Sequence, residues 1–222
     1  MELEKALTSV RQKKPLVQCI TNFVTVNDCA NIILASGGSP TMAEHPQEVE
    51  EAIRKAKALV CNMGAIDKVE AMIRAGKEAN RLAIPVILDP VGAGGTQLRR
   101  KAVKALLEKV HFAVIHGNAS EIRYLAGQKA TGSGVDVSIM DEITEENLGG
   151  AVQMAADLAT RLNTVVAISG KLDLISDGRR TCVLRNGCAT MARITGSGCM
   201  LTALIGAFCG ANGDAFLAAC TA

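Results

Sequence analysis

Short runs of Val, Ile and Leu alternate along the chain with longer segments in which apolar residues recur every three or four positions. The short runs are typical of buried parallel strands, and the longer segments of helices that cover a sheet. The pattern predicts strands at residues 16–20, 58–62, 85–89, 112–116 and 164–169. It predicts helices at 26–35, 47–55, 68–81, 97–109, 120–126 and 142–162, with further helices beginning near Cys199 and Asp214.

A hairpin is predicted near the end of the chain, where Asp177-Gly178 separates the runs 172–176 and 180–185. We therefore predict an α/β fold of three layers. Its central sheet is mostly parallel and flanked by helices on both faces, and the antiparallel hairpin extends its C-terminal edge. The length fits a single domain over residues 1–222. The apolar helical pattern still runs at Ala222, so we expect a C-terminal helical segment to be missing from this sequence.

Composition narrows the class of protein. Hydrophobic residues make up 49 %, whereas the net charge is +2 and aromatic residues reach only 2 %, which argues against nucleic acid as a partner. No apolar run approaches the roughly 18 residues of a membrane span, and the N-terminus lacks the apolar region of a signal peptide. We expect a soluble cytoplasmic protein without a membrane partner. The basic group at Arg99, Arg100, Lys101 and Lys104 is interpreted as a solvated helix face.

The eight cysteines contain no C-x-x-C pair, and most lie among apolar neighbours. We interpret them as reduced, small apolar residues of a cytosolic protein. Zinc binding is disfavoured because the three histidines share no ligand spacing with a cysteine. Cys199 differs, since it opens a predicted helix, and that position favours a lowered thiol pKa and a reactive thiol.

The segment Thr195-Gly196-Ser197-Gly198-Cys199 precedes an apolar run at 200–208. It predicts a tight loop that leads into a buried helix, whose unpaired N–H groups and positive dipole end suit a phosphate. The alternative is a glycine-rich turn that only lets the helix pack closely.

Polar residues follow each of the five predicted strands, at the edge where ligands collect in open parallel sheets. They are Thr21-Asn22, Asn62, Asp89, His116-Gly117-Asn118 and Ser169. Asp89 and Glu121 form a carboxylate pair suited to holding Mg²⁺ through water. Alternatively, Glu121 completes a capping box with a helix that starts at Asn118. An anion loop, a carboxylate pair and no motif for a covalent intermediate together indicate phosphoryl transfer.

Five segments, at residues 15–22, 38–42, 89–94, 117–121 and 195–199, resemble in register the hydroxyethylthiazole kinase family of the ribokinase-like superfamily. The resemblance runs from about residue 15 to 222. It implies phosphorylation, with ATP and Mg²⁺, of the primary hydroxyl of 4-methyl-5-(2-hydroxyethyl)thiazole in thiamine salvage. It also implies a homotrimer with active sites at subunit interfaces.

The resemblance further implies roles for individual residues. The residues implied to bind the substrate are Met42, Gly196, Asn22 and Asn27, and those implied to bind ATP are His116, Ser169 and Asn118. Asp89 and Glu121 are implied to bind the metal, and Cys199, Gly198 and Ser197 to take part in catalysis. Cys199 occupies the position where most ribokinase-like enzymes place an aspartate base. His116 stands where relatives often carry Arg, so we expect a weaker or pH-dependent contact with ATP.

Alternatives remain at this stage. Met42 fits plain core packing as well as substrate contact. The chain also fits another ribokinase-like kinase, acting on hydroxymethylpyrimidine or a sugar, and a non-catalytic sensor that uses the Cys199 thiol.

Overall fold

A computed structural model describes residues 2–128 and 142–222 of the chain. Within them, eight strands form one sheet in the order β2-β1-β3-β4-β5-β6-β7-β8. The strands are β1 (Leu16–Ile20), β2 (Ser39–Thr41), β3 (Ala58–Asn62), β4 (Val86–Asp89), β5 (Val114–Asn118), β6 (Val165–Ser169), β7 (Asp173–Ser176) and β8 (Thr181–Leu184). β1 to β6 pair in parallel, and β7 and β8 are antiparallel.

Helices cover both faces of this sheet. They are α1 (Glu2–Lys13), α2 (Val26–Ser36), α3 (Val49–Lys55), α4 (Val69–Arg81), α5 (Gln97–Lys109), α6 (Ala119–Leu125), α7 (Leu148–Leu162), α8 (Ser197–Ala211) and α9 (Ala215–Thr221). Side chains of each strand alternate between the two faces, so Leu59 and Cys61 join the core under α3 to α7. Ala58 and Val60 join the second core, under α1, α2, α8 and α9. The predicted three-layer α/β fold is confirmed.

The hairpin is also confirmed at the edge of the sheet. Asp177 forms its turn, since its Oδ1 accepts hydrogen bonds from the N–H groups of Arg179 (2.9 Å) and Arg180 (2.6 Å). Arg180 then reaches Asp214 before α9 (2.7 Å), which ties the hairpin to that helix. None of the helices in the described parts of the chain is both long and apolar enough to cross a membrane.

Several predicted boundaries were wrong. The helix predicted at 142–162 begins only at Leu148, because Asn147 holds the preceding turn by accepting a hydrogen bond from Thr144 N–H (2.9 Å). α8 begins at Ser197, two residues before the predicted start. β5 lies two residues later than predicted, so His116 and Asn118 both belong to the strand. α1 and β2 were not predicted.

Candidate active site

The candidate site lies where β1, β3, β4, β5 and β6 end and where α8 begins. These strands are parallel, so their carboxyl ends meet at one edge of the sheet. The register places Asn62 beside Asp89, and Asn118 beside Ser169. α8 packs across β1, β3, β4 and β5, and its first two turns contact Asn22, which follows β1, and Asp89, which ends β4.

α8 begins with a tight turn, as predicted, and the role of this turn in binding an anion stays a prediction. Gly196 has φ +76°, and a Cβ there would overlap Thr25, so the turn into the helix needs glycine. The first intrahelical bond runs from Met200 N–H to Gly196 O (2.9 Å), and no side chain of the described residues caps the helix. The N–H groups of Ser197, Gly198 and Cys199 therefore precede the first bonded amide of the helix.

Gly198 keeps the space beside these amides free. A Cβ added at Gly198 would meet a single heavy atom of the described residues within 4 Å, the Cε1 of His116 at 4.0 Å. We call the N–H groups of residues 197–199, together with this space, the amide cradle.

Asp89 is buried below the cradle at the end of β4, with 4 % of its surface exposed. Its Oδ2 accepts hydrogen bonds from Asn62 Nδ2 (2.7 Å) and Thr202 Oγ1 (3.0 Å). Burial, and next the charge of Glu121, raise the pKa of Asp89 to about 8, although the hydrogen bonds act in the opposite direction. Asp89 is thus a carboxylate whose charge the protein alone compensates poorly.

Glu121 forms the capping box that was the alternative interpretation. Its N–H donates to Asn118 Oδ1 (2.9 Å), and its Oε2 accepts from Asn118 N–H (2.9 Å). Its Oε1 also accepts from Gly92 N–H (2.8 Å). Burial raises the pKa of Glu121 to about 7, opposed by these two amides and by the charge of Arg99. Each carboxylate oxygen accepts one of these bonds and so retains capacity for a metal-bound water.

The sequence had predicted a solvated face for the basic group on α5, but Arg99 is half-buried, whereas Arg100 is exposed. Arg99 Nη1 donates to Met63 O (2.8 Å) and Val91 O (2.7 Å), and Arg100 Nη1 donates to Gly94 O (2.8 Å). These arginines hold together the loops that follow β3 and β4. Lys101 and Lys104 are exposed, as predicted.

Cys199 corrects another prediction. Its thiol accepts a hydrogen bond from Asn22 Nδ2 (3.5 Å), and it is half-buried in the first turn of α8. Burial, and next the negative charge of Asp89, raise the pKa of Cys199 to about 11. The expected lowering of this pKa at a helix N-terminus was wrong, because these two effects outweigh the helix dipole. At neutral pH Cys199 is a thiol.

His116 is 2 % exposed and lies beneath the first turn of α8. Its Nδ1 is 2.6 Å from Thr202 Oγ1, whereas its Nε2 is buried without a hydrogen-bond partner among the described residues. Burial lowers the pKa of His116 to about 4, so the ring is neutral at pH 7. The ATP contact stays a prediction, and any change of ring charge lies well below neutral pH.

The other predicted residues are placed as follows. Asn22 is used internally, because its Oδ1 accepts from Val24 and Thr25 N–H (3.1 and 3.2 Å) and its Nδ2 donates to Asn62 Oδ1 (3.1 Å). Met42 is half-buried against the core shared with Cys199, which agrees with the packing alternative. Asn27 is exposed on α2. Substrate contacts of Asn22, Met42 and Asn27 remain predictions, and so does an ATP contact of Ser169.

Asn62, Thr202 and Arg99 are site residues that the sequence reasoning did not assign. Asn62 was recognised as a strand-end residue but given no role. Thr202 is the one polar residue in the run 200–208, one helical turn after Gly198, and that isolation was its signal. No group of three or more His, Cys, Asp or Glu that would hold a metal occurs in residues 2–128 and 142–222.

The comparisons with known proteins agree with one another. The model of the hydroxyethylthiazole kinase family matches residues 7–222. A hydroxyethylthiazole kinase of Clostridium beijerinckii is 48 % identical over 221 residues, which cover 99 % of this chain and 79 % of the relative.

The fold comparisons extend this result. The solved hydroxyethylthiazole kinase of Pyrococcus horikoshii superposes with a TM-score of 0.87 at 38 % identity, covering 99 % of this chain and 80 % of that one. A ribokinase-like superfamily protein from Enterococcus faecalis superposes with a TM-score of 0.62 at 10 % identity, covering 97 % of this chain and 78 % of the other. The second match shows a shared fold alone.

Proposed function

This chain belongs to the hydroxyethylthiazole kinase family, and we propose that it transfers the γ-phosphoryl group of ATP to the primary hydroxyl of 4-methyl-5-(2-hydroxyethyl)thiazole, a salvage step toward thiamine. The observation that carries the proposal is the amide cradle at the start of α8, with Asp89 and Thr202 directly beneath it. A phosphoryl group is the anion that such a cradle fits best.

The amide cradle supplies positive dipoles where negative charge develops on the transferred group. Preorganised donors of this kind are a large part of catalysis in phosphoryl transfer. Gly196 shapes the cradle, and Ser197, Gly198 and Cys199 provide its N–H groups. Any side chain at Gly198 would enter the space that the phosphoryl group occupies in this proposal.

Cys199 acts as a weak helper in this mechanism. Its raised pKa keeps the thiol protonated, so it is not a strong base toward the substrate hydroxyl. The loose transition state of phosphoryl transfer requires little prior deprotonation of the nucleophile. The thiol then orients the hydroxyl, and Asn22 holds the thiol in place.

Asp89 and Glu121 fit Mg²⁺. Both are buried, and the charge of Glu121 raises the pKa of Asp89, which means that a cation between them would offset their repulsion. Mg²⁺ typically uses one or two carboxylates, water and substrate phosphates, which agrees with a site that has no larger group of protein ligands among the described residues. When bound, Mg²⁺ neutralises charge on the triphosphate. Asn118 and Ser169 end the next two strands, and His116 lies within β5, on the side proposed for ATP.

We also propose that the chain assembles as a homotrimer in the cytoplasm. Phe23 and Val24 next to the site, and Met191 and Ile194 before α8, are exposed apolar side chains of the kind that interfaces cover. All eight cysteines are free, which fits a reducing compartment.

The test is direct. The full chain, incubated with ATP, Mg²⁺ and the thiazole alcohol, is expected to form thiazole phosphate and ADP in equal amounts, measured by chromatography and mass spectrometry. Hydroxymethylpyrimidine and ribose serve as competing acceptors. Turnover of either of them without turnover of the thiazole alcohol would contradict the proposal in favour of another ribokinase-like kinase.

A further inference from the structure

Thr202 is a fully buried threonine inside the apolar part of α8. Its Oγ1 lies within hydrogen-bond distance of three groups: Asp89 Oδ2 at 3.0 Å, His116 Nδ1 at 2.6 Å and Gly198 O at 3.1 Å. Asp89 ends β4, His116 lies in β5, and Gly198 belongs to the amide cradle. One hydroxyl thus lies between the cradle, the end of β4 and the middle of β5.

The proton inventory of this hydroxyl fixes the direction of its bond to His116. A threonine hydroxyl has one proton to donate and two lone pairs to accept with. Gly198 O can only accept, and Asp89 Oδ2 accepts whenever this carboxyl group is ionised, so the single proton of Thr202 points to one of these two oxygens. In either orientation the proton points away from His116, and Oγ1 accepts from the Nδ1–H of His116.

The same count of protons determines which ring nitrogen of His116 is protonated. A neutral imidazole protonated at Nδ1 carries a lone pair at Nε2, and this atom is buried without a partner in the described part of the chain. The other tautomer would require the Thr202 proton to turn toward Nδ1, which would leave both Asp89 Oδ2 and Gly198 O without it. The side chain of His116 is thereby held under the first turn of α8, where its Cε1 faces Gly198.

We propose that Thr202 is a positioning residue, whose hydroxyl fixes Asp89 and His116 relative to the amide cradle. This inference rests on the proposed function for the identity of the reaction that the cradle serves. Among the described residues, the carboxylate of Asp89 has two further restraints besides Thr202: Asn62, which donates to Oδ2, and the thiol of Cys199. Loss of the hydroxyl removes one of these three restraints, so Asp89 can rotate away from the transferred group, and displacements of about 1 Å are enough to slow catalysis strongly.

Three variants of the full chain separate positioning from packing. Thr202→Val keeps the shape and removes the hydroxyl, whereas Thr202→Ser keeps the hydroxyl and removes a methyl group. Thr164→Val is the matched control, since Thr164 is another buried threonine, whose hydroxyl donates, within the part of the chain that the structure describes, only to its neighbour Val165 O (3.4 Å). Thermal unfolding midpoints of all three are measured beside wild type.

We expect Thr202→Val to lower kcat by about tenfold or more, with KM for the thiazole alcohol changed less than about twofold. Thr202→Ser and Thr164→Val are expected to stay within about threefold of the wild-type kcat. The inference is overturned if Thr202→Val retains the wild-type kcat, or if Thr202→Ser loses as much as Thr202→Val.

A second measurement needs neither activity nor a folded variant. ¹⁵N-histidine labelling of the wild-type chain yields three histidine spectra, from His45, His111 and His116. We expect His116 to carry its proton on Nδ1 and none on Nε2, and a proton on Nε2 alone would overturn the inference. A chain that shows the Nδ1–H form but makes no thiazole phosphate would support the positioning role and contradict the proposed function.

Discussion

A side chain at Gly198 would enter the space in front of the amides that begin α8. The fold itself has room for a Cβ at this position, because an added Cβ meets only His116 Cε1, at 4.0 Å, among the described residues. A negatively charged side chain is expected to impair catalysis, since it would occupy the cradle in place of the transferred phosphoryl group.

Gly198→Asp and Gly198→Asn therefore form a matched pair of nearly equal size. We expect Gly198→Asp to lower kcat/KM for ATP by about 100-fold or more, and Gly198→Asn by clearly less. Gly198→Ala serves as the control for backbone effects, and Cys199→Ala as the comparison at the neighbouring residue, for which only a partial loss is expected. Steady-state kinetics at saturating thiazole alcohol measure the difference. Equal losses for Asp and Asn at this position would mean that the amides do not bind an anion.

Cysteine reactivity offers a second prediction for single residues. The thiol of Cys188 is exposed, and hydrogen bonds from the backbone and side chain of Thr190 lower its pKa, whereas the pKa of Cys199 is raised to about 11. Only the thiolate is nucleophilic, so we expect iodoacetamide at pH 8 to modify Cys188 at least about tenfold faster than Cys199.

The pH dependence has a defined sign. Between pH 8 and 10 the rate of modification of Cys199 should rise nearly in proportion to the hydroxide concentration, because this pH range lies below the pKa of its thiol. The rate of modification of Cys188 should level off at a lower pH, because the pKa of that thiol is lowered. Mass spectrometry of tryptic peptides follows both sites, and Cys188→Ser should leave the Cys199 rate unchanged. A fast reaction of Cys199 at pH 8 would restore the sensor interpretation of this thiol.

At the scale of elements, the turn into α8 depends on one contact with the loop before α2. Gly196 has φ +76°, and a Cβ on it would overlap Cγ2 of Thr25. Gly196→Ala is expected to lower the free energy of unfolding by more than about 1 kcal/mol, from the left-handed conformation and the overlap together.

Thr25→Ser separates these two causes. Serine lacks Cγ2 but keeps the hydroxyl that Cys29 Sγ contacts (3.8 Å), so the single variant should be mild. In the double variant it should recover part of the loss caused by Gly196→Ala, leaving the cost of the left-handed backbone. Urea unfolding followed by circular dichroism measures all four proteins, and strictly additive losses would contradict the predicted overlap.

The elements differ in how far the sequence could predict them. β3 and β4 were predicted within one residue. Both strands are covered by helices on both faces, so they are continuous apolar runs that stand out in the sequence. β2 was missed because it has only three residues, with Pro40 inside it, and pairs only with β1 at the edge of the sheet. α1 was not predicted either, although Ala6 and Val10 have helical spacing and are buried.

Some features of the site could be predicted from the sequence, and others could not. Strand ends at one edge follow from the order of parallel strands, so Asp89, His116 and Asn118 were predicted to lie together. The bond from Thr202 to Asp89 spans 113 residues, and no local pattern encodes a contact of that kind. The raised pKa of Cys199 likewise depends on burial and on Asp89, which only the packed α8 brings about.

At the scale of the whole molecule, the loop after β1 presents an apolar side chain to solvent beside the site. Phe23 is 91 % exposed, and it directly follows Asn22, whose amide holds the Cys199 thiol. Covering a side chain of this size contributes about 1.5–3 kcal/mol, so a partner subunit would gain from packing against it. Assembly and the geometry of the site are therefore expected to depend on each other.

Phe23→Glu tests that dependence. We expect the wild-type chain to sediment at three times its 23.2 kDa, and Phe23→Glu to sediment at a lower mass with a loss of kcat/KM of at least about tenfold. Leu82→Glu is the matched control, because Leu82 is an exposed leucine after α4. It lies at the amino ends of the strands, away from the site at their carboxyl ends. Analytical ultracentrifugation at several concentrations measures the mass, and the assay for thiazole phosphate is run on the same samples. A wild-type chain that sediments as a monomer, or a Phe23→Glu variant that remains a trimer with full activity, would show that this surface does not join subunits at the site.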